Sequence, residues 1–242
     1  MSTLCELAAG RYAHASGALW LAEAGTVIVA DAHLGYGWAQ RRKGELGPVR
    51  DTKSDLKLGA LMRELRPQRI VFLGDLVHAP RPGDEERSAI EKTLRGLASA
   101  AELVLVRGNH DRAFARDFAG LGIAVVEAWT EAGVSALHGD RLGRVAIPEG
   151  HVVLGHLHPV LHTKDAAGAK LSLRLFLVSE RTTVLPAFSP YSGGFDIARG
   201  VPGDLRPLLG PGALEGVAVT GTTARRLGPL SQAGLRGRIA RT

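Results

Sequence analysis

Residues 26–33, Thr26-Val-Ile-Val-Ala-Asp-Ala-His33, place two polar side chains directly behind a run of apolar, mostly β-branched residues. The run Thr26–Ala30 predicts a buried strand, so Asp31 and His33 lie just past its carboxyl end. The same arrangement recurs four more times along the chain. The strands predicted there are Arg69–Leu73, Leu103–Val106, Val134–Leu137 and Val152–Leu154, and the polar clusters behind them are Gly74-Asp75, Gly108-Asn109-His110-Asp111, His138-Gly139 and Gly155-His156-Leu157-His158.

Helical patterns lie between the strands. One helical face is formed by Leu58, Leu61, Met62 and Leu65, and another by Ile90, Leu94, Leu97, Ala98 and Ala101. The alternation predicts an α/β sandwich with central sheets and helices on the outer faces. Further strands are predicted at Ala124–Glu127, Leu171–Val178, Thr182–Leu185 and Val217–Thr220, and a Gly- and Pro-rich loop at Gly200–Gly216.

The length of 242 residues fits one domain. We expect residues 1–230 to form this domain and residues 231–242 to form a basic, flexible tail. No stretch approaches the roughly 18–20 apolar residues of a membrane helix, and no signal-peptide pattern opens the chain. The single cysteine, Cys5, cannot form an internal disulfide, so we predict a cytoplasmic protein in which Cys5 is a small, buried apolar residue.

The formal net charge of +6 is distributed unevenly. Residues 1–196 carry 23 Lys and Arg against 22 Asp and Glu, whereas residues 197–242 carry seven arginines against Asp204 and Glu215. A basic C-terminal region can bind phosphate groups, and it can equally be a solvated surface. Charge alone leaves both interpretations open.

The polar clusters have the composition of a metal site. Alternation along an extended segment would bring Asp31 and His33 to one side, and His156 and His158 likewise, so each pair is expected to aim at a common point. A mixed set of carboxylate, imidazole and amide donors suits Mn, Fe, Zn, Co or Ni. The clusters therefore predict a site for two divalent ions that share a carboxylate and activate a water molecule.

In this order, the motifs D-x-H, G-D-x-x-H, G-N-H-D, H-G-D and G-H-x-H resemble the signatures of the calcineurin-like metallophosphoesterase superfamily. The resemblance implies a four-layer αββα sandwich with two mixed sheets. His110 would protonate the leaving oxygen or stabilise the transition state without binding metal, and Asp111 would hold it in place. The resemblance also implies the ligands: Asp31, His33 and His158 for one ion, Asn109, His138 and His156 for the other, and Asp75 as the bridge.

Longer segments resemble the bacterial DNA ligase-associated metallophosphoesterases (the PdeM subfamily). They run from about Ala18 to Thr220: Ala18–Leu21, Val29–Gly35, Phe72–His78, Gly108–Arg112 and Leu185–Phe188 before Gly193-Gly194. Ala32 stands where leucine is expected in that subfamily, which changes packing and not the ligands. This resemblance implies a nuclease or phosphodiesterase in DNA repair, associated with a DNA ligase and helicase system.

Several neighbouring residues have two interpretations each. His78 is either a hydrogen-bond donor bordering the metal site or a plain loop residue. Arg112 either reaches a substrate phosphate or pairs with a neighbouring carboxylate. Asp140 either orients His138 or makes the turn. Arg41-Arg42-Lys43 either lines a groove for a polyanion or forms a solvated face.

The remaining aromatic and histidine residues are assigned by their surroundings. Trp38 is the candidate for stacking on a base, whereas Trp20 and Trp129 are expected in the core. The expectation for His14, His151 and His162 is a surface position.

The predicted reaction is hydrolysis of a phosphodiester, by in-line attack of a water held between two divalent ions. Mn²⁺ is the preferred ion, and DNA is the expected substrate. A phosphodiesterase acting on cyclic or other small nucleotides is the alternative with the same chemistry. A non-catalytic scaffold with the same fold ranks last, because no ligand position is lost.

Overall fold

The computed structural model describes residues 2–46, 52–164 and 168–230. The predicted tail at 231–242 lies outside the described residues and stays a prediction. Across the described ranges no helix is both long and apolar enough to span a bilayer.

These ranges contain sixteen strands, five α-helices and three short 3-10 turns. The strands are β1 Leu4–Ala8, β2 Arg11–His14, β3 Leu19–Leu21, β4 Thr26–Ala30, β5 Arg69–Leu73, β6 Glu102–Val106, β7 Ala124–Val126, β8 Trp129–Glu131, β9 Val134–Leu137, β10 His151–Leu154, β11 Pro159–Lys164, β12 Lys170–Val178, β13 Thr182–Val184, β14 Phe195–Asp196, β15 Glu215–Val219 and β16 Ala224–Pro229. The helices are α1 Tyr36–Arg42, α2 Thr52–Leu65, α3 Asp84–Ala98, α4 Phe114–Asp117 and α5 Arg206–Leu209, and the 3-10 turns are Asp111–Ala113, Ala119–Leu121 and Ile197–Arg199.

The first sheet has the strand order β1-β2-β3-β4-β5-β6-β7. Strands β1 to β4 form an antiparallel meander, and β4 to β7 pair in parallel. Parallel neighbours need a crossover, which α1 with α2 and then α3 provide. All five residues of β4 are buried because the sheet is covered on both faces.

The second sheet has the order β14-β11-β12-β13-β10-β9-β8, and β15 joins it through β12 and carries β16. Here β9, β10 and β13 are parallel neighbours, and β11 pairs in parallel with β14. The other pairs are antiparallel. Both sheets are therefore mixed, as predicted.

Three apolar clusters separate the layers. The first lies between the first sheet and helices α2 and α3, where Leu58 and Leu94 meet Phe72. The second lies between the two sheets and includes Val71 and Phe176. The third covers the outer face of the second sheet with α5 and the turn Ile197–Arg199. The predicted sandwich is confirmed, and its outer layer on this side is thin because residues 200–216 are rich in Gly and Pro.

Most predictions outside the site hold, and one is wrong. Trp20 and Trp129 pack against apolar clusters, as does half-buried Cys5. The surface position predicted for His14 is wrong: its side chain is buried, with Nδ1 2.7 Å from Ser16 Oγ and Nε2 3.2 Å from Glu64 Oε2. Ser16 is a local partner, but Glu64 comes from α2, and the local sequence does not reveal that contact.

Two other histidines were also expected at the surface. His162 is exposed, as predicted. His151 is half-buried, and its Nε2 lies 2.9 Å from Thr183 Oγ1.

Candidate metal centre

The five polar clusters each follow a strand, as predicted. Asp31 follows β4, Asp75 follows β5 after one glycine, and Asn109 comes three residues after β6. His138 follows β9, and His156 follows β10 after one glycine. Because β4 to β6 run in parallel, as do β9 and β10, the carboxyl ends within each sheet point the same way and bring these side chains together.

The backbone at this edge is unusual. Five non-glycine residues have positive φ: Asp31 at 55°, His33 at 45°, Asp75 at 48°, His156 at 62° and His158 at 46°. A left-handed backbone costs a residue with a Cβ about 1–2 kcal/mol. Such strain persists where the surrounding structure fixes it, most often at a functional site.

This conformation corrects the expected geometry. The D-x-H and H-x-H segments are not extended, so simple alternation does not orient their side chains. Asp31 and His33 do converge, but His156 and His158 belong to different groups of ligand atoms. Successive turns of the backbone, and not a straight strand, aim these residues.

The first group consists of Asp31, His33 and His158, whose ligand atoms all lie within 4.8 Å of one another. His158 Nδ1 lies 3.0 Å from the Gly193 carbonyl oxygen, which can only accept, so Nδ1 carries the proton. His158 Nε2 then faces Asp31 Oδ1 at 2.9 Å, and both atoms are buried with no other polar partner. Burial opposes a charge on His158, but the hydrogen bond and the charge of Asp31 outweigh it and raise the pKa of His158, so without a metal a proton lies between the two atoms. A metal ion can replace that proton and bind both atoms, so these residues fit a metal ion.

The protonation states of this group also suit a metal. Burial lowers the pKa of His33 to about 3, so its imidazole is neutral and can bind a metal. Burial alone would raise the pKa of Asp31, but the hydrogen bond from His158 and the charges of His158, His138 and His33 lower it below its usual value. Asp31 is therefore a carboxylate, the form that binds a cation.

The second group consists of Asp75, His138 and His156. His138 Nδ1 donates to the Leu73 carbonyl at 3.0 Å, so its Nε2 faces the other members. That nitrogen lies 3.6 Å from Asp75 Oδ1 and 3.3 Å from Asn109 Oδ1. Asn109 therefore adds an amide oxygen to the carboxylate and two imidazoles.

The two groups are in direct contact. The backbone N–H of His156, in the second group, donates to Asp31 Oδ2 at 2.8 Å, and His138 Nδ1 lies 3.9 Å from Asp31 Oδ1. Glycine is required at two positions beside them. A Cβ on Gly74 would lie 2.0 Å from His138 Nδ1, and one on Gly108 would lie 2.4 Å from Asp75 Oδ1.

His110 lies beside both groups. Its backbone N–H donates to Asp75 Oδ1 at 2.9 Å, and its ring Nδ1 donates to the His78 carbonyl at 2.7 Å. The imidazole Nε2 is thereby directed inward, 4.0 Å from Asp75 Oδ2, while about a third of the side chain remains exposed. The ring therefore faces the centre and is also accessible from solvent.

Asp111 contacts backbone N–H groups and not the His110 ring. Its Oδ1 accepts from the backbone N–H of Leu76 at 3.0 Å and of Val77 at 3.4 Å, and its Oδ2 accepts from Gly108 N–H at 3.0 Å. Burial raises the pKa of Asp111 to about 6. Asp111 therefore ties the loop after β5 to the loop after β6, and the His78 carbonyl orients the His110 ring instead.

A family model described as calcineurin-like phosphoesterase matches residues 26–170, which contain all of these side chains. The chain belongs to this family. It is a metal-dependent phosphoesterase, a hydrolase of phosphate esters. A search of curated protein sequences finds no match.

The fold is shared with one solved structure. A structure described as Pseudomonas putida nuclease MPE superposes with a TM-score of 0.70 at 22% sequence identity, covering 92% of this phosphoesterase and 98% of that chain. A phosphoesterase from E. coli described as Yfce has a TM-score of 0.44 at 15% identity, covering 86% of this chain and 98% of that one. The match to the nuclease MPE structure, at 22% identity, concerns the fold alone.

The residues at the border of the phosphoesterase centre divide as follows. His78 belongs to the centre: its Nδ1 lies 3.4 Å from His33 Nδ1, and burial, followed by His110, Lys43 and Arg42, lowers its pKa to about 4. Asp140 lies 3.5 Å from Arg141, while the Leu73 carbonyl orients His138.

The basic residues near the centre differ in whether they already have a partner. Arg112 is exposed and pairs with no carboxylate in the described part of the chain. Arg42 is paired with buried Glu86, so it holds α1 against α3. The Arg41 guanidinium lies 4.7 Å from the Trp38 ring centre, over the face predicted to stack on a base.

Sequence reasoning missed two groups at this centre. The carbonyls of Leu73, His78 and Gly193 fix three histidine rings, and a carbonyl leaves no mark in a sequence. The second group is a pair of tyrosines, Tyr36 and Tyr191, whose rings are stacked 5.0 Å apart. Tyr36 could have been noticed, because it lies three residues after His33.

Proposed function

We propose that this phosphoesterase hydrolyses phosphodiester bonds in DNA, using two divalent ions held at the carboxyl ends of β4, β5, β6, β9 and β10. The observation that carries the proposal is the convergence of Asp31, His33 and His158, whose ligand atoms lie within 4.8 Å of one another, with Asp31 Oδ1 and His158 Nε2 buried and facing each other at 2.9 Å. A buried carboxylate is stabilised by a paired positive charge, and a divalent ion can take the place of the proton that the two side chains otherwise share.

The residues divide between the two ions by their contacts. Asp31, His33 and His158 would hold one ion, and Asn109, His138 and His156 the other. Asp75, in contact with His138 and with the His110 backbone, would hold both. When bound, the ions supply charge neutralisation at the phosphate and an activated water molecule. The donor set suits Mn²⁺, and we propose Mn²⁺ as the working ion.

The chain's own contribution to bond cleavage comes from His110. The His78 carbonyl fixes the Nδ1 proton, so the inward-facing Nε2 is the atom that delivers a proton to the leaving oxygen when the ring is charged. Asp111 holds the loop that carries His110 by binding three backbone N–H groups. Exposed Arg112 lies two residues further along and can bind a phosphate oxygen of the substrate.

DNA is proposed as the substrate on two grounds. One is the basic C-terminal region of the sequence, and the other is the fold shared with a protein described as a nuclease. We further propose that the enzyme acts in the cytoplasm within a DNA ligase and helicase repair system.

One experiment tests the proposal. The apo protein is loaded in turn with Mn²⁺, Zn²⁺, Fe²⁺, Co²⁺, Ni²⁺ and Mg²⁺, and each form is assayed on bis-p-nitrophenyl phosphate and on single- and double-stranded DNA. We expect hydrolysis of both substrate types, highest with Mn²⁺. Turnover of bis-p-nitrophenyl phosphate with no cleavage of DNA would replace DNA by a cyclic or other small nucleotide. No hydrolysis with any ion would reject a catalytic role altogether.

A further inference from the structure

We propose that the stacked rings of Tyr36 and Tyr191 form a platform that binds an unpaired nucleobase next to the cleaved phosphate. This inference rests on the proposed DNA substrate. It assigns the two tyrosines to binding the nucleobase, whereas the metal centre binds the phosphate. It selects single-stranded or locally unpaired nucleic acid as the substrate class.

The platform adjoins the metal centre. The Tyr36 ring lies 4.9 Å from the His78 ring. That ring in turn lies 5.2 Å from the ring of His33 and 5.7 Å from the ring of His110. One imidazole therefore separates Tyr36 from both a candidate ligand and the candidate proton donor. A nucleotide whose phosphate lies at the centre can place its neighbouring base on these rings.

The second ring is fixed to the same centre. Tyr191 is stacked on Tyr36 with an angle of 8° between the ring planes. Its loop is anchored on both sides: the backbone N–H of Ser189 donates to the Asp31 carbonyl at 3.1 Å, and the Gly193 carbonyl accepts from His158. The platform is therefore held in register with the ligands and does not have to be assembled when substrate binds.

The charge beside the rings suits a nucleic acid. The Lys53 ammonium lies 5.9 Å from the Tyr191 ring centre, and Lys57 lies one turn later on α2, over Phe188. Neither lysine pairs with a carboxylate in the described part of the chain. The Lys57 ammonium already donates to the Phe188 carbonyl, so exposed Lys53 is the side chain available for a phosphate.

Other aromatic residues do not offer such a surface. Trp20 and Trp129 pack against apolar clusters, and within the described ranges no ring contact joins Trp38 to the histidines of the centre, as His78 joins Tyr36. Tyr36 and Tyr191 are both half-exposed and adjoin His78. In a duplex each base face is covered by its neighbours, whereas an unpaired base can stack on an aromatic ring, whichever base it is.

The test is a scan with oligonucleotides that each lack one base. A single abasic site is moved along a single-stranded oligonucleotide, and cleavage at every phosphate is measured at nucleotide resolution with the Mn²⁺-loaded enzyme. We expect kcat/KM to fall roughly 5- to 150-fold whenever the abasic site occupies one fixed position relative to the cleaved bond, since stacking of one base contributes about that factor. In Tyr191→Leu this dependence should fall to a factor near one.

Two further variants control the scan. Tyr191→Phe keeps the aromatic ring and should keep the dependence on the base. Tyr12→Leu alters a half-buried tyrosine on β2, outside the centre, and should behave as the wild type. The platform is wrong if the wild type cleaves DNA without dependence on any base, or if Tyr191→Leu retains the full dependence. If the wild type cleaves no DNA at all, the proposed substrate fails first, and the platform with it.

Discussion

Positive φ angles occur at both ends of the central strands, but in different residue types. At the amino ends of β4, β9 and β10 they include those of Gly25, Gly133 and Gly150. Just past the carboxyl ends of β4, β5 and β10 they belong largely to aspartate and histidine. In the described ranges seven non-glycine residues have positive φ, and five of them are candidate metal ligands. The other two, Arg66 and Ala132, lie on the amino side of β5 and β9.

This difference shows where the fold tolerates backbone strain. Glycine adopts the left-handed region without a steric cost, so it serves where the chain only has to turn. At the carboxyl ends the same conformation is imposed on residues whose side chains are needed, at about 1–2 kcal/mol each. The strain is therefore concentrated at the end of the strands that holds the candidate metal centre.

The largest effect is expected at Asp75, on the strained end. Asp75→Asn should lower metal occupancy at both positions together and reduce turnover of bis-p-nitrophenyl phosphate by about 10⁴-fold or more, because each ion contributes several kcal/mol. Elemental analysis and steady-state kinetics measure the two quantities. A variant that holds two ions per chain at wild-type activity would show that Asp75 does not join the two groups.

His110 also lies at the strained end, but its φ is −82°, an ordinary helical value. His110→Asn should leave metal content unchanged and cut turnover by roughly 10²–10⁴, the range of general acid–base catalysis. The loss should be smaller for p-nitrophenolate, which leaves without protonation, than for a DNA strand. Loss of bound metal instead would count His110 among the ligands, beside its close neighbours His33 and His78.

The amino end of the strands has a titratable group of its own, His151 at the start of β10. Burial, and then nearby Arg11, lower the pKa of His151 to about 4. A folded-state pKa below the unfolded value of about 6.5 means that the neutral ring stabilises the fold above pH 6.5, and that this contribution is lost as the pH falls towards 4.

The difference between wild type and His151→Gln isolates this contribution. As the pH falls from 7 to 4, we expect the wild type to lose about 1–2 kcal/mol of free energy of unfolding relative to His151→Gln, a figure that is reduced for solvent screening. Chemical denaturation at several pH values, both proteins being free of metal, measures it. Parallel pH profiles would show that this end of the strands has no buried titrating group.

The smallest effect tests the strain itself. Ala132→Gly should raise the free energy of unfolding by about 0.5–1 kcal/mol, because the left-handed cost of φ 52° is removed and is only partly offset by the freedom of glycine in the unfolded chain. The matched control is Ala22→Gly at an exposed position without positive φ, which should destabilise the protein. Equal changes in both variants would mean that positive φ carries no strain here.

Much of the centre could be predicted from the sequence because each ligand directly follows a strand. The pattern at 26–33 gives both the strand and its polar end, and the same holds for the cluster after β10. The meander β1 to β3 was not predicted, because its strands are only three to five residues long. Helix α1 was missed for a similar reason, since its seven residues have few apolar positions.

The contacts that orient the site could not be predicted. His110 is fixed by a carbonyl 32 residues away and His158 by one 35 residues away. Asp111 accepts from the backbone N–H groups of Leu76 and Val77 in another loop, and the sequence does not reveal these contacts. The stack of Tyr36 on Tyr191 likewise depends on tertiary structure alone.

The contact between His156 N–H and Asp31 closes a loop of 125 residues. Neither group of ligands comes from a single segment, since the first needs β4 and β10 and the second needs β5, β9 and β10. An ion added to the unfolded chain would meet at most two neighbouring donors, and bringing in the rest costs the entropy of closing long loops. Metal is therefore expected to bind late in folding, after both sheets have formed. Metal binding would then require the folded chain and would not nucleate folding.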